Sequence, residues 1–242
     1  MNPQDIKSAR RLRLSHQIRL LHAVDERGQR AYNDAGEQYL DPARIPIVLD
    51  DVGVPPALCG ATFATSPFSE MEEARSWYTK VAAGDDSARR LALFFGPGAN
   101  HTAAAVMYNA VKRNYTVAWY SWHEFLQRYT EGIDRSRVLA GGLAEEMALA
   151  AQEIDEARYE DFRLRYVYDV LAIIDLDLEA MRDFAVPDIV SMFRNRSDYL
   201  LTTVLTVSTA NSPDFERNAD LLGKRGAFLR LLEDDAVKFD GR

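Results

Sequence analysis

Four short apolar runs constrain this chain more than anything else in it. Residues 91–95, 116–120, 169–174 and 202–208 are rich in Leu, Val, Ile, Thr and aromatic side chains, and each has the length of a buried strand. Helix-like stretches separate them: AAAVMYNAVKR after the first, residues 143–165 before the third, and residues 179–196 after it. Ser121 and Glu124 stand three apart, the spacing of a capping box, and mark another helix start. Strands alternating with helices predict an α/β domain whose parallel sheet is covered on both faces. Upstream, residues 69–83 are helical in character and end at Gly84-Asp85-Asp86. The segment GVPPALCGATF, residues 53–63, is rich in breakers and reads as an ordered loop. Residues 45–49 form a short apolar piece before it.

A chain of 242 residues has room for one such domain and a short extension. With 47% hydrophobic and 27% charged residues it reads as a globular protein rather than a disordered one. No apolar run approaches the roughly 20 residues of a membrane span. The start, MNPQDIKSARRLRLSHQ, lacks the apolar centre of a secretory signal. Cys59 is the single cysteine, which excludes a disulfide framework and points to the cytosol of a cell or of an infected cell.

The net charge of −8 argues against a surface that coats nucleic acid, yet the charge is uneven. Lys7, Arg10, Arg11, Arg13, Arg19, Arg27 and Arg30 make the head basic, whereas Glu145, Glu146, Glu153, Asp155, Glu156, Glu160 and Asp161 make the middle acidic. From about residue 8 to 26 the pattern is helical, with Leu14, Ile18 and Leu21 on one face and Arg11, Arg13 and Arg19 off it. Arg11, Leu14, Ile18 and Leu21 are therefore the candidate partner-docking residues, and an acidic partner or DNA phosphates are both open to the basic face.

The loop after the first strand carries the chemistry of interest. A P-loop wraps phosphates in successive backbone amides at a helix N-terminus, adds a Lys for the outer phosphates, and uses Ser or Thr to hold magnesium. Against the pattern GxxGxGKT, residues 95–102 read FGPGANHT. Gly98 and Thr102 match, with Gly96 beside them. Phe95 stands for the first glycine, Asn100 for the third and His101 for the lysine. Asn tolerates glycine-like backbone conformations, but a neutral imidazole is a poor substitute for an ammonium group.

Taken together, these pieces resemble the AAA+ replicative helicase loaders of the DnaC/DnaI type and the related IstB transposition ATPases. GVPP and GATF look like the segment ahead of that family's ATPase core. LALFFGPGANHTAAAVMYNAV and YTVAWYSWHEFLQRY look like its P-loop, first helix and second strand–helix unit. DVLAIIDLDLE occupies the Walker B place, TVLTVST the sensor strand and GKRGAFLRLLE the arginine-finger region. The resemblance covers about four-fifths of the chain and implies an AAA+ P-loop NTPase-like parallel sheet flanked by helices. Residues 53–242 would form that core, and residues 1–52 a short helical extension for docking.

The same resemblance exposes what is altered. At Walker B the paired acids fall on Ile174 and Asp175, or on Asp175 and Leu176, so one acid is missing in either register. The sensor asparagine falls near Ser208, with Asn211 three residues late, and the arginine finger falls on Leu229, with Arg230 one place off. Four parts of a phosphoryl-transfer apparatus are changed together. Asp175, Ser208 and Arg230 are read as catalytic vestiges, and Gly96, Gly98, Asn100, His101 and Thr102 as a vestigial nucleotide loop. Either no cofactor binds, or ATP or ADP is held with magnesium on Thr102 and Asp175.

Other residues carry blander readings. His16, His22, His101 and His123 form no metal-ligand pattern. Cys59 has no partner histidine in a motif. Trp119, Tyr120 and Trp122 fit core packing better than base stacking. The stretch from Glu145 to Arg165 looks like an exposed helical insertion. The reading that follows is a non-catalytic, loader-like replication accessory of bacterial or phage origin. Its partner would be a replicative DNA helicase or the host's own loader, with self-association and weak single-stranded DNA contact left open. An active ATPase with an unusual loop and an IstB-like DNA-binding accessory are the rival readings.

Overall fold

The computed structural model describes residues 42–65, 68, 70–113, 115–129, 161, 163–178, 180, 181, 184–207 and 225–240. Within them the order is α1 (Ile45–Asp51), α2 (Met71–Ala82), β1 (Leu91–Phe95), α3 (Ala99–Lys112), β2 (Val117–Ser121), α4 (residues 122–129), β3 (Val170–Ile174), α5 (Val186–Asp198), β4 (Thr202–Val207), α6 (Arg225–Asp235) and β5 (Ala236–Asp240). All pairings in the five-stranded sheet are parallel, in the order β2-β3-β4-β1-β5. The four strands expected from sequence are present within a residue of their expected bounds. The fifth, β5, was not foreseen: it follows α6 with no intervening loop.

Period-2 alternation in each strand divides the core into two layers. Leu91, Leu93, Ala118, Tyr120, Leu171, Ile173 and Leu205 face α4, α5 and α6. Ala92, Phe94, Val117, Trp119, Ala172, Ile174 and Val204 face α1, α2 and α3. The sheet is therefore sandwiched between helices, which is why its strands read as unbroken apolar runs. α3 lies deepest: Ala103, Ala104, Ala105, Val106, Met107 and Ala110 are fully buried, and small side chains let the helix lie close to the sheet. α2 buries Met71, Ala74, Trp77, Tyr78 and Val81, a stripe at helical spacing, with Glu72 and Glu73 in its first turn and Lys80 in its last, where the macrodipole favours them.

The stretch expected as part of an extension supplies a core helix. Pro46 sits in the first turn of α1, where a missing N–H costs nothing, and Ile45 and Leu49 are fully buried against the α2–α3 side of the core. At the base of the sheet, Arg196 of α5 is fully buried. It donates to the Thr203 hydroxyl at 2.8 Å, to the carbonyls of Thr202 at 2.7 Å and Tyr168 at 3.0 Å, and to the carbonyl of Leu164. Asp169 fixes the same end, accepting from the Thr116 amide at 2.7 Å. Trp119, Tyr120 and Trp122 are buried, and none presents an open face for base stacking.

Candidate functional site

The carboxyl ends of β1, β3 and β4 bring together residues that lie far apart in sequence, the usual place for a ligand in an open α/β sheet. Asn100, in the first turn of α3, donates from Nδ2 to Asp175 Oδ1 at 3.1 Å. Its Oδ1 accepts from the Thr206 hydroxyl at 2.6 Å. The Thr206 hydroxyl in turn accepts from the Asp175 amide at 2.9 Å. Asp175 follows directly on β3 and holds φ +59°, a left-handed conformation in which an Asp side chain is tolerated. Asn100, Asp175 and Thr206 thus form a closed ring of hydrogen bonds. Asn100 ties the loop to the two neighbouring strands instead of leaving a glycine's open space.

Between β1 and α3 stand only Gly96, Pro97 and Gly98. Gly96 turns the chain with φ +92°. Pro97 has no N–H, and the Ala99 amide is taken by the Gly96 carbonyl at 3.2 Å. The turn is thus without two of the amides that could face a phosphate. Gly98 is needed for a different reason from a P-loop glycine. A Cβ built there would lie 2.5 Å from Phe68 Cγ and 2.7 Å from Glu70 Oε1. The close approach that glycine permits is made by the chain's own Phe68 and Glu70.

Thr102 is fully buried, with its hydroxyl within reach of the Gly98 carbonyl at 3.2 Å and of Glu70 Oε1 at 3.3 Å. His101 lies edge-on to the Phe68 ring, with centroids 5.7 Å apart. Its Nε2 is buried and has no hydrogen-bond partner among the described residues. Of the residues expected to serve magnesium, Thr102 has Glu70 as its side-chain neighbour and Asp175 has Asn100. His101, expected in the lysine's place, packs on Phe68. In this arrangement the residues do not fit a magnesium-bound nucleotide. Gly98 is covered by Phe68 and Glu70, and the Glu70 carboxyl group takes up the side of the turn that a phosphate would need.

Of the remaining expected residues, Ile174 and Leu176 are buried, whereas Asp175 between them is exposed. Leu229 is a core residue of α6, while Arg230 is exposed and bonds its own helix at the Gly226 carbonyl, 3.2 Å away. Ser208, Asn211, Arg11, Leu14, Ile18 and Leu21 lie outside the described residues, as does nearly all of the stretch from Glu145 to Arg165. Among the described residues no group of three or more His, Cys, Asp or Glu side chains could hold a metal ion, and no helix is long and apolar enough to cross a membrane. Sequence reading missed Phe68, Glu70 and Thr206. Glu70 and Phe68 carry no local signal, because their contacts lie about thirty residues away. Thr206 offered one: a hydroxyl in the middle of a buried strand needs a partner.

No protein-family model matches the chain, and no curated protein matches it. Its fold is similar to that of solved structures. The replication initiator DnaA bound to AMPPCP and single-stranded DNA superposes with a TM-score of 0.52 at 15% identity, over 77% of this chain and 51% of that one. AMPPCP-bound DnaA from Aquifex aeolicus gives 0.50 at 16% identity, over 77% and 51%. A DnaI structure gives 0.49 at 14% identity, over 78% and 92%. The chain spans about half the length of the DnaA structures it matches. The sheet order and the likeness to DnaA make this an AAA+ P-loop NTPase-type fold.

Proposed function

We propose that this chain is a DNA-replication accessory protein with a loader-like body that works by binding rather than by hydrolysis. In this reading it is a non-catalytic adaptor for a replicative DNA helicase or for the host's own helicase loader. The observation that supports it most directly is the filled loop: Phe68 and Glu70 cover Gly98, and Asn100 is tied to Asp175 and Thr206. A fold shared with nucleotide-bound initiators, but closed by its own side chains, has kept a shape and a set of surfaces while giving up the reaction. The order of motifs along the sequence directs the choice of partner toward the helicase. The residues ahead of α1 serve as the docking extension, with Leu14, Ile18 and Leu21 as the apolar stripe and Arg11 as the charge.

Two measurements on the full chain test this. Thermal melting with millimolar ATP or ADP and magnesium is expected to leave the midpoint unchanged. A ligand at a hundred times its dissociation constant would add about 2.7 kcal/mol. Analytical ultracentrifugation with a purified hexameric helicase is expected to show a complex that Ile18→Asp abolishes. A magnesium-dependent shift that disappears in Thr102→Ala would overturn the non-catalytic reading. A helicase that sediments alone, and a helicase loader that does likewise, would remove the partner.

A further inference from the structure

We propose that Phe68 and Glu70 are a built-in occupant of the anion position at the N-terminus of α3, a plug that lets the loop stay folded without phosphate. The inference rests on the non-catalytic reading above. It goes beyond it by naming what fills the site and what its removal would admit.

The first turn of α3 has no side-chain cap, so its partial positive charge is left for another group to meet. Glu70 meets it. The residue is 3% exposed, its Oε1 lies 3.3 Å from the Thr102 hydroxyl, and it lies against Gly98. Its Oε2 is buried without a hydrogen-bond partner among the described residues. A carboxyl group held in an apolar setting with one oxygen unsatisfied is costly unless the local field favours it. The helix terminus supplies that field. Phe68 keeps water out by packing on Gly98 and edge-on to His101, whose Nε2 is likewise unsatisfied. Gly98, His101 and Thr102 fall on one face of the helix, so Glu70 and His101 meet at the same turn. The contact is made by fit rather than by a completed hydrogen-bond network. Removing the plug would therefore uncover an oxyanion site, whether the oxyanion is free phosphate or the phosphate of a nucleotide.

The test is calorimetric titration of the full chain with inorganic phosphate and, separately, with ADP. It compares the wild type with Glu70→Gln and with the Phe68→Ala/Glu70→Ala pair, each checked for folding by circular dichroism. The wild type is expected to bind neither ligand. The double variant is expected to bind phosphate at least about tenfold more tightly than the wild type. Glu70→Gln, which keeps the shape and loses the charge, should fall between them, and it carries the test alone if the double variant does not fold. ADP preferred over phosphate would identify a nucleotide as the displaced ligand, and equal affinity a bare oxyanion; either supports the plug. Folded variants that bind no better than a non-binding wild type would overturn the plug and leave the non-catalytic reading standing. A wild type that already binds ADP as well as the variants do would overturn both.

Discussion

Gly98 is a residue whose letter matches a nucleotide loop and whose surroundings do not. Its missing Cβ makes room for Phe68 Cγ and Glu70 Oε1, which a methyl group would meet at 2.5 and 2.7 Å. Overpacking of this kind typically costs about 1–3 kcal/mol. Gly98→Ala is therefore expected to destabilise the chain by that amount, and by much less in a Phe68→Ala background, where the space has been opened. Urea denaturation of the two single variants and the double variant measures the coupling directly. Strictly additive losses would mean that the two residues do not share the contact. From sequence alone Gly98 was a match, His101 and Asn100 were mismatches, and nothing local said that Phe68 would lie on them. What the sequence could show was the change of two glycine positions and of the lysine's charge. What replaced them depended on a contact between segments about thirty residues apart, which no local pattern encodes.

At the scale of elements, two helices end by the same rule with different residues. After α2, the Gly84 amide bonds the Val81 carbonyl at 3.1 Å and the Asp85 amide bonds the Lys80 carbonyl at 3.1 Å, with Gly84 at φ +79°. After α5, the Leu200 amide bonds the Ser197 carbonyl at 3.0 Å and the Leu201 amide bonds the Arg196 carbonyl at 2.8 Å, with Leu200 at φ +57°. Both are Schellman ends, which favour glycine at the left-handed position. A leucine there costs roughly 1–2 kcal/mol of backbone strain, and Leu200, at 46% exposed, recovers little by burial. Leu200→Gly is expected to raise stability by up to about 1 kcal/mol, since glycine's own flexibility offsets part of the gain. Gly84→Ala should lower stability by about 1 kcal/mol. Thermal melts of the pair decide it, and a destabilised Leu200→Gly would show that the leucine side chain carries a contact worth more than the strain. The turn signal at Gly84 was visible in the sequence because glycine announces it, whereas Leu200 hid an identical turn. Other boundaries moved for equally concrete reasons. α5 starts at Val186 rather than near residue 179, with Pro187 in its first turn. The capping box at Ser121 forms by half: Ser121 accepts the Glu124 amide at 3.2 Å, while the Glu124 carboxyl pairs with Arg128. β5 was missed because α6 runs straight into it, with no turn residues to mark the change of period.

For the molecule as a whole, the alternation of strands and helices was enough to specify a parallel sheet covered on both faces, because burial on two sides leaves a plain apolar signature in each strand. The site was legible only as a list of altered positions. Its physical state comes from three strand ends and the segment before α2 acting together: Asn100, Asp175 and Thr206 close one side, and Phe68, Glu70 and His101 close the other. If the change of lysine to His101 were the whole of the difference, His101→Lys would restore nucleotide binding. With magnesium and ATP at a hundred times the dissociation constant, that would add about 2.7 kcal/mol. At about 2–4 °C per kcal/mol for a domain of this size, it would raise the melting midpoint by roughly 5–10 °C. A composite closure predicts otherwise. The new lysine would face a Gly98 still covered by Phe68 and Glu70, so His101→Lys alone is expected to melt at the same temperature with and without ATP. The same substitution added to Phe68→Ala/Glu70→Ala is expected to respond. A clear rise for the single variant would place the defect in one side chain and remove the closure as its cause.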